Sequence, residues 1–121
     1  MKETTVHEFQ RRLRAARASL LGTVATTDEE LATLEAHPAG ALSEDVMTET
    51  ATAILSRLEG RERHELDEIN AAQARLESGV FGVCETCARP IPLARLRAVP
   101  VTRHCTACEA GHETTRRAGG A

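Results

Sequence analysis

Four cysteines in two tight pairs carry the clearest chemistry in this chain: Cys84-Glu85-Thr86-Cys87, a gap of seventeen residues, then Cys105-Thr106-Ala107-Cys108. Each C-x2-C pair can present two sulfurs from one turn, and two such pairs at this separation can close a tetrahedral four-thiolate site. Cys84, Cys87, Cys105 and Cys108 are therefore the metal-ligand set, and zinc, one ion per chain, is the cofactor they fit. Four sulfurs leave no open position for water or substrate, so the ion is structural and not catalytic. Zinc modules gain roughly 10–16 kcal/mol from the metal. That suffices for a segment whose apolar filling is only Phe81, Val83, Ile91, Leu93, Leu96, Val99 and Val101. Two other uses of the same thiols remain open. A redox C-x-x-C pair would want the strand-rich surroundings of a thioredoxin-like fold, which are missing here, and iron also accepts four thiolates. His104 and His112 read as neighbours of the site, since four sulfurs already complete it.

Arg89, Arg95, Arg97 and Arg103 cluster around the cysteines, and Arg116 and Arg117 follow them. Such a patch can hold phosphates, but the aromatic side chains on which bases stack are absent. Direct DNA binding is not expected, and solvation of a small module is the simpler reading of these arginines.

The elements that must position this site read as helices. From about Thr5 to Ala36, residues Phe9, Leu13, Ala16, Leu20, Val24, Leu31 and Leu34 recur in steps of three and four, with Thr27 as a polar break and Gly22 as the one glycine. This predicts one long helix with a stripe close to a heptad seam. His37-Pro38-Ala39-Gly40 then ends it, and Ser43 is a good N-cap with Glu44 and Asp45 in the first turn of the next helix. That second helix is predicted from about Glu44 to Ser78, with Met47, Ala51, Leu55, Leu58, Glu62, Leu66, Ile69, Ala72 and Leu76 on one face and Gly79 as its stop. Gly60 falls inside it and should weaken it by about 1 kcal/mol. The charges from Arg57 to Glu68 read as exposed pairs at i, i+4 spacing. Two long helices joined by a short turn must lie antiparallel. The fold class is mainly α: a long antiparallel coiled-coil hairpin over residues 1–79, its tip near 37–46, and a small four-cysteine zinc-finger module over residues 80–121.

Composition agrees with a slender molecule. Of 121 residues 41% are hydrophobic, but twenty of those are alanine, two are phenylalanine, and tyrosine and tryptophan are absent. A large core and an aromatic-lined ligand pocket are both disfavoured, and no nucleophile and base stand at suggestive spacing, so no enzyme is expected. With 15 Lys plus Arg against 18 Asp plus Glu, the net charge is −3. It is unevenly spread: −1 over residues 1–37, −5 over 38–79 and +3 over 80–121. An acidic second helix thus precedes a basic cysteine-bearing end. No apolar run reaches the roughly 18 residues a bilayer span needs. A soluble, cytoplasmic protein without membrane attachment is expected.

The run Gly79-Val80-Phe81-Gly82-Val83-Cys84-Glu85-Thr86-Cys87, with Arg95-Leu96, Pro100 and the second pair Cys105-Thr106-Ala107-Cys108, resembles the DksA/TraR family of bacterial zinc-finger transcription regulators. The resemblance spans roughly residues 44–110 without a gap. It implies a coiled coil on a zinc-finger globule with a C-terminal helix. It also implies RNA polymerase as the partner: the coiled coil enters the secondary channel and an acidic tip, here Ser43, Glu44 and Asp45, alters promoter-complex stability, in several members together with ppGpp. It implies no reaction.

This chain departs from the family at three places. Where the family's tip reads Asp-x-x-Asp-x-Ala, the chain has Ala41, Glu44 and Val46, with Asp45 beside the surviving acid. Positions that hold ppGpp in the family carry Arg61, Glu68, Val99 and Glu109. Two carboxylates there oppose a polyphosphate, so ppGpp binding in the usual manner is not expected. Ala88 stands where a glycine usually follows the first knuckle, which should perturb the turn without removing the ligands. The expectation is a monomeric RNA polymerase-binding transcription regulator. The alternative from another class is a zinc-stabilised coiled-coil adaptor for another protein or nucleic acid.

Overall fold

The computed structural model describes residues 1–36 and 49–111. The expected tip, with Ser43, Glu44 and Asp45, lies outside the described residues. The described residues include the helices α1 (Glu3–Gly22), α2 (Asp28–Ala36), α3 (Glu49–Ser56), α4 (Gly60–Ser78) and α5 (Leu93–Ala98). Residues 106–111 are also helical, and among the described residues there is no strand, only one isolated bridge between Val83 and Pro90. Two compact units divide the chain, Met1–Gln73 and Ala74–Ala121. No helix is long and apolar enough to cross a membrane among the described residues.

In the first unit the helices form a hairpin, and its direction follows from which residues meet. Arg17 Nη1 donates to Gln73 Oε1 at 3.5 Å, Leu21 shares a cluster with Leu66, Arg57 reaches Val24 and Glu30, and Thr50 Oγ1 donates to Glu29 Oε1 at 3.3 Å. From 17 with 73 through 21 with 66 and 24 with 57 to 29 with 50, partner numbers fall as residue numbers rise, which is the signature of antiparallel pairing. One apolar cluster joins all four helices here: Leu21, Ala51, Ile54, Leu58 and Leu66, with Leu20, Val24, Leu34 and Leu55 packed against it.

The predicted stripe needs two corrections. On α1 the buried residues are Phe9, Leu13, Arg17 and Leu21, a repeat of four rather than an alternation of three and four, while Ala16 is exposed. Four residues advance about 40° beyond a full turn, so the buried line runs obliquely along the helix. Arg17 takes the place assigned to Ala16 because its long stem can be buried while its head reaches Gln73; burial pushes the guanidinium below its ordinary pKa. Leu31 also leaves the stripe and stands 43% exposed.

Neither predicted long helix is continuous. The first ends at Gly22, where the Thr23 hydroxyl donates to the Leu20 carbonyl at 2.6 Å, and α2 then starts afresh at Asp28. Thr27 caps it: Glu30 N–H donates to Thr27 Oγ1 at 3.1 Å, and Glu30 Oε1 accepts from Thr26 N–H at 3.0 Å. Thr27-Asp28-Glu29-Glu30 has the sequence of a capping box, with the Glu30 carboxylate reaching one residue further back, to Thr26 N–H. On the return, α3 stops at Ser56 and α4 begins at Gly60. Gly60 is therefore a first helical residue, with Glu59 accepting from Arg63 N–H at 2.9 Å, and is not the mid-helix weak point expected. Gly79, at φ +76°, does end α4 as expected. Val80 N–H reaches Arg75 O at 3.0 Å and Gly79 N–H reaches Leu76 O at 3.3 Å, the paired bonds of a Schellman stop.

Candidate metal centre

The second unit builds the cysteine site from two short, cross-braced segments. Gly82 turns the chain at φ +83°. Ile91 N–H then donates to Gly82 O at 2.7 Å and Cys84 N–H to Arg89 O at 2.9 Å, so residues 82–91 fold back on themselves. Ala88 N–H donates to Cys84 O at 2.9 Å and closes the turn that carries Cys84 and Cys87. Ala88 does so at φ +62°, the one non-glycine residue at positive φ among the described residues. An alanine where the resembled family has glycine thus leaves the turn in its left-handed form and stores strain in it.

The second pair sits at a helix start. Cys105 O accepts from Glu109 N–H at 2.9 Å as the helix over 106–111 begins, so Cys105 occupies the N-cap position and Cys108 lies one turn on. Three arginines brace this segment, Arg103 against the first, Arg95 from α5 and Arg75 from α4. Glu85 N–H donates to Arg103 O at 2.9 Å, and Arg103 Nη1 pairs with Glu85 Oε1 at 3.2 Å. Arg95 Nε donates to His104 O at 3.0 Å and Arg95 Nη2 to Thr102 Oγ1 at 3.3 Å. Arg75 Nη2 adds a bond to Val101 O at 3.3 Å. Arg95 and Arg103, read from the sequence as part of a basic patch, are thus committed to internal bracing. Arg89 and Arg97 are exposed.

These braces bring the four sulfurs within 4.8 Å of one another. Cys87 Sγ and Cys105 Sγ lie 3.8 Å apart. Zinc–sulfur bonds of about 2.3 Å in a tetrahedron require sulfur–sulfur edges of about 3.8 Å, so the donor set and its spacing fit zinc. All four cysteines are free thiols. The module needs the metal, because its apolar core is small: Leu76, Phe81, Ile91 and Leu96 are buried with Cys84, whereas Val83, Leu93 and Val99, counted as filling from the sequence, are each about 40% exposed.

The local fields differ between the sulfurs. Burial pushes the Cys84 thiol up, but backbone N–H groups of Cys87, Cys105 and Thr86 outweigh it and bring it down to about 6. The Cys108 N–H, at the helix start, likewise lowers Cys105. Cys108 donates its own proton to the Cys105 sulfur and is pushed up to about 12.

Arg61 pairs with Glu65 at 3.7 Å on the surface of α4, as the i, i+4 reading expected. Arg57 does not belong among those surface pairs: it crosses to Glu30, a buried residue that the sequence reading passed over. Glu68 and Glu109 are half-buried and Val99 is exposed. His104 Nδ1 faces Glu109 Oε2 at 3.3 Å.

Residues 79–113 match the prokaryotic dksA/traR C4-type zinc finger. The chain is 34% identical over 76 residues to the RNA polymerase-binding transcription factor DksA of Caulobacter vibrioides, an overlap covering 63% of this chain and 54% of that protein. It spans about half the length of the curated relatives it matches. Among solved structures it is similar to transcription factor DksA2 from Pseudomonas aeruginosa, with TM-score 0.64 and 27% identity over 96% of this chain and 88% of that one. It shares its fold with the RNA polymerase binding protein and transcriptional regulator Dks from Chlamydia trachomatis, with TM-score 0.60 and 20% identity over 95% and 94% of the two chains.

Proposed function

The chain belongs to the DksA/TraR family of C4-type zinc-finger proteins, and from that premise we propose that it is a bacterial transcription regulator that binds RNA polymerase. Its hairpin enters the secondary channel, and the tip at Ser43, Glu44 and Asp45 changes the stability of promoter complexes. Cys84, Cys87, Cys105 and Cys108 ligate one structural zinc. Residues 1–79 serve as the arm and residues 80–121 as the zinc end, and the protein acts as a monomer without contacting DNA. Neither ppGpp nor a similar polyphosphate is bound in the family's manner, because Glu68 and Glu109 put carboxylates at two of the positions that hold it in the family.

The observation that carries this reading is the convergence of four sulfurs within 4.8 Å in a finger of the dksA/traR type, in a chain whose other unit is an antiparallel helical hairpin. On this reading the metal is structural, and the protein exerts its effect on a partner rather than through a reaction of its own.

The test uses purified RNA polymerase with the zinc-loaded chain. The wild type should be retained by the polymerase and change transcript yield from short-lived promoter complexes. The Glu44→Ala, Asp45→Ala double variant should be retained equally and lose that effect. A polymerase that does not retain the wild type refutes the proposal in favour of an adaptor for another partner. A double variant as active as wild type refutes only the tip assignment.

A further inference from the structure

We infer that the hairpin is jointed, and that the Glu30–Arg57 pair is a latch setting the direction of its outer segment, α2 with α3, against its inner segment, α1 with the first part of α4. The two arms break at the same level. One is interrupted between Gly22 and Asp28, the other between Ser56 and Gly60. Arg57, from the second break, reaches the first: Nη1 donates to the Val24 carbonyl at 3.2 Å and to Glu30 Oε1. A helix resists bending through its continuous backbone ladder. With both ladders open at one level, side chains alone fix the angle there.

The breaks are built, because the backbone groups they free have named partners. The Thr23 hydroxyl takes the Leu20 carbonyl, Arg57 takes that of Val24, and Arg63 Nη2 takes that of Leu55 at 3.0 Å. Glu30 Oε1 takes the Thr26 N–H while the Thr27 hydroxyl takes the N–H of Glu30. Glu30 and Arg57 are the members that reach across between the arms. The Glu30 side chain is 7% exposed and that of Arg57 37%, so the carboxylate depends on its partner and has little water to fall back on. Val24 and Leu58, both from the breaks themselves, seat the joint on the apolar cluster.

A polymerase partner that opened this ion pair would therefore re-aim α2 and α3 about the apolar cluster, without melting either helix. That consequence for transcription rests on the polymerase reading above; the joint does not.

The experiment measures distances in the free, zinc-loaded, full-length protein by pulsed dipolar EPR. Nitroxides are attached to ketone-bearing residues introduced by codon reassignment, which leaves the four cysteines untouched. One pair of labels, at the exposed positions Thr52 on α3 and Asp67 on α4, spans the joint; a control pair, at Arg14 on α1 and Asp67, lies within the inner segment. The wild type should give narrow distributions for both. Glu30→Ala and Arg57→Ala should each broaden the Thr52–Asp67 distribution roughly twofold and leave the control unchanged. Glu30→Gln, which keeps an acceptor for Thr26 and Arg57, should fall between. If Glu30→Ala does not fold, Arg57→Ala carries the test, since its side chain is partly solvated. Unchanged Thr52–Asp67 distances in a folded Arg57→Ala variant overturn the latch, as does equal broadening of both pairs. Failure of the wild type to bind polymerase would overturn the transcription reading alone, because the distances are read without polymerase.

Discussion

Replacing Ala88 with glycine should tighten zinc binding, although the substitution touches no ligand. Ala88 holds φ +62° between two bonds that close the first knuckle, Ala88 N–H to Cys84 O and Cys84 N–H to Arg89 O, each 2.9 Å. An L-residue in this region loses roughly 1–2 kcal/mol to contact between Cβ and the backbone, which glycine recovers. Against this, glycine gives the unfolded chain more freedom to lose, by about 0.4–1 kcal/mol. The difference is about 0.5–1 kcal/mol, and because folding of such a module is linked to metal binding it should appear as a roughly two- to fivefold gain in zinc affinity. Competition with a chromophoric chelator in reduced protein measures it directly. The reverse change supplies the control: Gly82 sits at φ +83° in the same folded-back segment, and Gly82→Ala should lose about 0.5–1 kcal/mol by the same difference, or roughly two- to fivefold in affinity. If Ala88→Gly binds zinc no better than wild type while Gly82→Ala weakens it, the turn is not strained at Ala88 and the argument from φ fails.

Two further outcomes follow from the same geometry. Zinc takes thiolates, so its affinity should rise with pH. Cys108, held protonated up to about 12, must release its proton on binding at neutral pH, whereas Cys84, at about 6, is mostly ionised there. Below about pH 6 the Cys84 proton must be displaced as well, so the slope of log affinity against pH should steepen, as calorimetry in buffers of different ionisation heat would show; a slope that flattens on acidification contradicts the order of the thiols. In the hairpin, Gly60→Ala should raise stability by well under the roughly 1 kcal/mol expected of a helix-interior glycine, because Gly60 is the first residue of α4 and has open space around its Cα. Thermal unfolding decides it, and a gain of the full amount, about 1 kcal/mol, would mean that α3 and α4 are one helix in solution.

The metal centre was legible in the chain because ligand type and spacing are local properties: two C-x2-C turns need only come within a few ångströms, and the zinc completes the rest. The helical class was legible for a similar reason, since periodicity reports which residues want to be covered. What periodicity cannot distinguish is a helix that continues through a polar step from one that restarts. Thr27 was visible as a break in the stripe, and Thr27-Asp28-Glu29-Glu30 as a capping box was there to be read, but a search led by apolar residues passes over it. The exchange of Ala16 for Arg17 in the seam is different in kind, because it depends on Gln73 being opposite to receive the guanidinium.

By itself, then, the sequence determined a helical arm and a four-thiolate zinc end, through short-range rules of spacing, capping and charge. The tertiary structure decided where that arm is interrupted and what spans the interruption. Glu30 and Arg57 lie 27 residues apart, and each alone reads as an ordinary surface charge. Only antiparallel pairing sets one helix break against the other, leaving carbonyls and N–H groups that must find partners across the gap. The same holds for Arg95 and Arg103, which read from the sequence as solvated members of a basic patch until folding placed the His104 carbonyl and Glu85 within their reach. A side chain's charge is written in the sequence, but whether it faces solvent, a ligand or a broken helix depends on what the rest of the chain brings beside it.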